Sequence, residues 1–165
     1  MFESIKRDFH TNESVVSKLI IIVYRFGNFI YYRFNVPVLK KIFWIIYRII
    51  DFIFRFFTHC EIPAKAIIGS GLRIDHNGNG IVIHPDVRMG KNCRIFHQVT
   101  IGVDSFATGE SYGVATIGNN CYIGAGAKII GKLNIGNNVR VGANAVVIKD
   151  ALDNKTLVGV PARNL

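Results

Sequence analysis

The sequence predicts a mainly β chain: a parallel β-helix built from hexapeptide repeats, preceded by an apolar helical extension. Three observations carry this. From Ile62 onward, aliphatic residues recur every six positions. Glycine and asparagine recur beside them. The composition also changes near Thr58, from an aromatic, basic segment to a glycine-rich one, which divides the chain into residues 1–58 and 59–165.

The 165 residues carry a formal net charge of +9, yet only 19% are charged and 50% are hydrophobic. That is too apolar for a disordered chain. Cys60, Cys93 and Cys121 are odd in number and far apart, so no disulfide scaffold or CxxC metal motif is expected, and a reduced cytoplasmic setting fits. The basic residues are spread along the chain, with about +5 in residues 1–58 and about +4 in the rest. No cluster tracks a phosphate backbone, so nucleic acid is not an expected partner.

Residues 19–57 read as two or three helices. Pro37 stands where a helix can begin, and Gly27 weakens the preceding segment. A signal peptide is not expected, because the first apolar run starts late and no small-residue cleavage site follows. A spanning helix needs roughly 18–20 residues with few or no charges, and here Arg25, Arg33, Lys40, Lys41, Arg48, Asp51 and Arg55 interrupt the run. Lys41, Arg48 and Arg55 recur at sevens, along one side of a helix whose other positions are largely aromatic or aliphatic. Two placements follow: packing within the protein and its oligomer, or lying in a membrane interface. The expectation is peripheral contact with the inner face of the cell membrane through residues 19–57.

The second part is defined by its period. Ile62, Ile68 and Ile74 open it; Ile83, Met89, Ile95 and Ile101 resume it; Ile117, Ile123, Ile129, Ile135, Val141 and Val147 complete it. Four residues after the aliphatic position comes a small or apolar one, including Val87, Cys93, Val99, Cys121, Ala127 and Ala145. Each hexad supplies one short strand and one tight turn, and stacked coils bury a continuous ladder of Ile and Val. Cys93 and Cys121 are therefore expected to be inert core thiols. The repeat breaks at DHNGNG, residues 75–80, and at residues 103–116, the one long excursion and the expected lid or acceptor-binding element.

On these repeats the chain resembles the hexapeptide-repeat acyltransferases over roughly residues 58–165. The resemblance implies a left-handed parallel β-helix, a homotrimer with active sites between subunits, and acetyl-CoA as acyl donor, without a metal. EIPAKAIIGSGLRIDH (residues 61–76), IGAGAKI (123–129) and the terminal GVPARNL are similar to serine acetyltransferases, in which an acidic residue precedes the catalytic histidine by fifteen positions. The matching pair is Glu61 and His76. That group also carries an Arg-His-Pro element in the loop before the late repeats, and here Val114 stands in place of its histidine. The apolar N-terminal segment and FHQVTIG around His97 are closer to the colanic-acid and capsule type of polysaccharide O-acetyltransferase.

Acyl transfer from a thioester to an alcohol needs a base, a donor for the tetrahedral oxyanion and a thioester held within reach. His76 is the expected base, with Glu61 orienting it, and Asp75 and His97 are the other candidate site residues. Within the resemblance, Gly124, Ala125, Gly126, Ala127, Gly142 and Ala143 match the stretch that lies along coenzyme A, and Lys128, Lys149 and Arg163 are candidates for its phosphates. His84, in IHPDV, reads as a turn residue. The function expected is acetyl transfer to a sugar or glycan hydroxyl in bacterial surface polysaccharide biosynthesis. The alternative is serine O-acetylation. A non-catalytic scaffold and a zinc carbonic anhydrase are the remaining readings. The zinc reading needs three converging histidines, and His76, His84 and His97 lack the paired spacing.

Overall fold

The computed structural model describes residues 2–164. Three helices come first: α1 (Phe2–Thr11), α2 (Val15–Tyr32) and α3 (Pro37–Thr58). Ser14 caps α2 by accepting from the Val16 N–H at 3.2 Å. Pro37 opens α3, and His59 closes it in the left-handed conformation.

The rest is a three-sided prism of short parallel strands. One face stacks β1 (Ile67–Ile68), β4 (Arg88–Met89), β7 (Thr116–Ile117) and β10 (Asn134–Ile135). The second stacks β2 (Arg73–Ile74), β5 (Arg94–Ile95), β8 (Tyr122–Ile123), β11 (Arg140–Val141) and β13 (Thr156–Val158), closed by the antiparallel β14 (Arg163–Asn164). The third stacks β3 (Val82–Ile83), β6 (Thr100–Gly102), β9 (Lys128–Ile130) and β12 (Val146–Val147), with Glu61 bridged to Val82 beneath them. Every aliphatic residue of the hexad ladder points into the prism, from Ile62 to Val147, and all are buried.

The corner between the first and second faces is an asparagine ladder. Asn92, Asn120, Asn138 and Asn154 all adopt φ near +60°, a conformation asparagine tolerates because its side chain can bond locally. Here the amides bond one another up the stack, Asn92 to Asn120 at 3.1 Å, Asn120 to Asn138 at 3.1 Å and Asn138 to Asn154 at 2.9 Å. Cys93 and Cys121 sit inside that corner, where each thiol donates to the glycine carbonyl of the next coil. A hydrogen bond to Cys121 and burial push the Cys93 thiol far up, as an inert core thiol requires.

The helices cap the first coil. A β-helix end exposes unpaired backbone groups, as any sheet edge does. Asp8 is fully buried; its Oδ1 accepts from the Gly71 and Leu72 N–H groups at 2.6 and 3.0 Å, and its Oδ2 accepts from Arg25 Nε at 2.8 Å. Arg25 donates to the carbonyls of Ile68 and Gly69, both at 2.6 Å. Asn12 bridges the Leu72 carbonyl and the Ile74 N–H, and the Tyr24 hydroxyl bridges the Ala66 carbonyl and the Ile68 N–H. α2 is long and apolar enough to cross a membrane. Its buried Ile20, Ile21, Tyr24 and Arg25 nonetheless seal the end of the prism.

Removing one partner of a buried ion pair strands the other. Asp8→Ala should therefore cost about 3–5 kcal/mol of unfolding free energy, read as a lowered urea midpoint, whereas the exposed Glu13→Ala should leave it nearly unchanged.

Candidate active site

The corner between the second and third faces differs from the asparagine corner. Its first turn is the irregular segment DHNGNG. His76 and Asn77 both have left-handed backbones, φ 52° and 58°, which asparagine tolerates but which is costly for histidine. The surroundings enforce it: Ser14 Oγ donates to Asn77 Oδ1, and a side chain at Gly78 would press on Cys60 Sγ and Ile20. The N-terminus of α2 thus fixes the turn that presents His76.

His97 occupies the same corner one coil up. The two imidazoles meet edge to face, with centroids 4.8 Å apart and planes at 83°. His97 Nδ1 is buried without a hydrogen-bond partner. The corner continues through hydrogen bonds from Gly126 N to the His97 carbonyl at 3.0 Å and from Asn144 N to the Ala125 carbonyl at 2.8 Å. Gly124, Ala125, Gly126 and Ala127 therefore lie one coil above His97, and Gly142 and Ala143 lie one coil further. A Cβ at Gly126 would collide with Asn144 Oδ1. The column of small residues leaves backbone N–H and carbonyl groups open to an extended ligand. Lys128 reaches back from β9 to the Gln98 carbonyl at 2.5 Å, beside His97. Arg163 and Lys149 are exposed near the far end of the prism.

Next to His76 lies a cluster that the sequence did not disclose. Asp75 accepts from Arg94 Nε at 2.6 Å and Nη2 at 3.1 Å, and from Arg73 Nε at 3.2 Å. Burial pushes the Asp75 carboxyl up, but the hydrogen bonds and charges of Arg94 and Arg73 outweigh it and hold the group below the usual carboxylate range. The Arg94 guanidinium lies 4.7 Å from the centroid of Phe96, whose ring is 5.9 Å from that of His76. Arg94 was findable in principle: it is the outward residue of β5, stacked directly on Arg73.

Several expected placements need correction. Glu61 does not pair with His76. Its Oε1 accepts from Arg55 Nη1 of α3 at 2.6 Å, and it lines a cavity of about 460 Å³ bounded by Tyr47, Arg48, Asp51 and Arg55. His76 opens instead on a cavity of about 500 Å³, with Asn77 and Asn79 on one side and Ile53, Phe54 and Phe57 of α3 on the other. A fifteen-residue separation falls short of the coil here, because the irregular turn lengthens the first coil and sets Glu61 beneath Val82. The loop at residues 103–116 leaves from the corner after β6, across the third face from His76 and His97. Its polar contacts outside the loop include Lys132 Nζ to the Glu110 carbonyl and Thr116 N to the Leu133 carbonyl, both at 2.8 Å, and Val114 packs half-buried on the core. His84 is the turn residue expected, its Nδ1 accepting from the Asp86 N–H at 3.2 Å. Among the described residues, no group of three His, Cys, Asp or Glu side chains could hold a metal ion.

Residues 115–149 match the family model described as bacterial transferase hexapeptide (six repeats). Over those residues the chain is similar to that class of bacterial transferase, and the prism has the left-handed parallel β-helix that the sequence led us to expect. Within that class the resemblance is to serine acetyltransferases. The enzyme so named from Helicobacter pylori strain J99 is 40% identical over 111 residues, 67% of this chain and 63% of its own, and that from Bacillus pumilus is 39% identical over 111 residues, 67% of this chain and 50% of its own. The chain thus spans half to under two thirds of these relatives. The Brucella abortus serine acetyltransferase in complex with coenzyme A superposes with a TM-score of 0.77 at 27% identity, over 92% of this chain and 56% of that one. A soybean serine acetyltransferase complexed with serine gives 0.75 at 28%, over 92% and 58%. These findings overturn the expected polysaccharide O-acetyltransferase, its sugar or glycan acceptor and its place in polysaccharide biosynthesis. They support the alternative, serine. The FHQVTIG context was too short to outweigh similarity over two thirds of the chain.

The Asp75–Arg94 pair carries its own test. A carboxylate held below its unfolded pKa stabilises the fold above that unfolded value and loses the contribution as pH falls through the folded one. Arg94→Gln should therefore lower the urea midpoint at neutral pH, and the difference from wild type should shrink as pH drops below the usual carboxylate range.

Proposed function

We propose that this protein transfers the acetyl group of acetyl-CoA to the hydroxyl of serine, with His76 as general base. The observation that carries the reading is the His76–His97 pair at the foot of a column of small residues, in a chain whose relatives are serine acetyltransferases. In this reading the pantetheine arm runs down the column past Ala143 and Gly126 and delivers the thioester to His76. His76 removes the hydroxyl proton as the serine oxygen attacks the thioester carbon. Collapse of the tetrahedral intermediate expels the CoA thiolate, which takes the proton back from the imidazolium. His97 packs against the base and positions its ring.

Serine is a zwitterion, and the cluster beside His76 offers both complements: the Asp75 carboxylate for its ammonium and the Arg94 guanidinium for its carboxylate. Arg94 and His97 thereby supply the cation and the second imidazole that the resemblance places in the loop, where this chain has Val114. Glu61 stays with Arg55 and acts on the end of α3, at a remove from the base. We further propose a homotrimer. The column is half a groove in one chain, and the loop at residues 103–116 leaves from the opposite corner, so it reaches a site only on a neighbouring copy. We also propose that the reaction takes place in the cytoplasm, where acyl-CoA is available.

The test is CoA release from acetyl-CoA with L-serine. His76→Ala should lower kcat by roughly 10²–10⁴ without changing the oligomer, and unchanged turnover would remove His76 from the mechanism. Arg94→Gln should raise the KM for serine severalfold with a smaller effect on kcat. No serine-dependent release by the wild type would overturn the acceptor.

A further inference from the structure

We propose that the outward face of α3 docks on an anionic lipid surface, with the helix lying flat in the headgroup boundary. α3 is two-faced. Its inner side holds Phe43, Trp44, Tyr47, Phe54 and Thr58 against the body of the protein. Its outer side carries Val38, Ile42, Ile45, Ile49, Phe52 and Phe56 at helical spacing, all exposed, with Phe52 68% and Phe56 67% accessible. At 1.5 Å per residue the stripe runs about 27 Å along the 22-residue helix. Monomeric proteins rarely leave so large an apolar face uncovered.

The charges decide the occupant. No acidic residue stands on the exposed arc; the one acid of α3, Asp51, points inward and pairs with Arg55 at 2.8 Å. One edge of the arc carries Lys41 and Arg48, both exposed and, among the described residues, in no ion pair. At the N-terminal end, Lys40 and Lys41 share a hollow with Tyr31, Pro37 and Trp44, a cation-and-aromatic arrangement suited to phosphate headgroups at a membrane boundary. A second copy packed here through its own α3 face would bring like charges together without an acidic counterpart, whereas anionic lipid supplies it. Crossing the bilayer is a different matter, because the inner face of α3 is committed to the protein. Ile53 and Phe57, exposed along the edge of the stripe opposite those cations, also line the cavity of His76, so docking would hold that cavity at the headgroup level.

The experiment is flotation of the full chain with phosphatidylglycerol-containing vesicles, with pure phosphatidylcholine vesicles as control. The wild type should float with the anionic vesicles and less so as salt rises. At about 1 kcal/mol per cation, Lys41→Gln with Arg48→Gln should weaken partitioning on the order of thirtyfold. Phe52→Ser with Phe56→Ser should abolish it. Both pairs lie on the surface, and circular dichroism checks that the fold is kept. Failure of the wild type to float would overturn the proposal. So would equal flotation of the wild type and the cation variant, or self-association in ultracentrifugation that the Phe variant removes while vesicle binding stays absent.

Discussion

A stack of parallel coils has to end, and the structure depends on how it ends. The first coil presents N–H and carbonyl groups with no coil beneath them, and leaving them buried and unpaired would cost more than they contribute elsewhere. Asp8 and Arg25 answer this as one unit: the carboxylate takes two N–H groups, the guanidinium gives to two carbonyls, and each neutralises the other in a site from which water is excluded. A neutral side chain could satisfy one kind of backbone group, but the pair satisfies both. Once α1 and α2 are anchored in this way, the N-terminus of α2 falls beside residues 76–78, so the cap also sets the conformation of the turn that carries His76.

The consequence for chemistry is that one corner of the prism is irregular and the next is not. The asparagine corner repeats the same left-handed residue coil after coil, and its side chains bond only to each other. At the other corner the residues change with height, from His76 through His97 to glycine and alanine. Imidazoles lie at the bottom and bare backbone above them. That gradient suits a ligand with a reactive end and a long polar arm. The same geometry separates the base from the excursion at residues 103–116 by the width of a face.

The fold was legible because every sixth residue reports on one interior, and a local period survives without knowledge of distant contacts. The turn at residues 75–80 was legible for the same reason, as a break in that period, and so was the place of His76 within it. Glu61 was misplaced because its partner, Arg55, belongs to the helix. The residue count to His76 carried no information about which carboxylate contact α3 would capture. Asp8 could not be read at all: its partners Gly71 and Leu72 lie more than sixty residues away, and an acid in a short helix looks like a solvated one. Arg94 lay between these cases, since its strand register was implied by the repeat but its bond to Asp75 was not. Val114 was read for a missing histidine, and the structure shows what the valine does instead, which is pack on the core.

The helical segment shows why an average over residues misleads. Its apolar content belongs to two surfaces facing opposite ways. On α2 most of it is internal: Ile20, Ile21 and Tyr24 close the prism, and Ile30 packs with Tyr47 of α3 and Ala64. On α3 the inner residues complete that packing, while a second apolar arc, not required by it, faces out. The heptad spacing of Lys41, Arg48 and Arg55 runs along the boundary between the arcs, and the three cations part company there. Arg55, nearest the β-helix, turns in to Asp51 and Glu61, whereas Lys41 and Arg48 remain outside. A stripe that only covered the protein's own core would not need to stay apolar on its far side. That far side reaches the histidine cavity through Ile53 and Phe57, so any change there acts on the surface and on the site together.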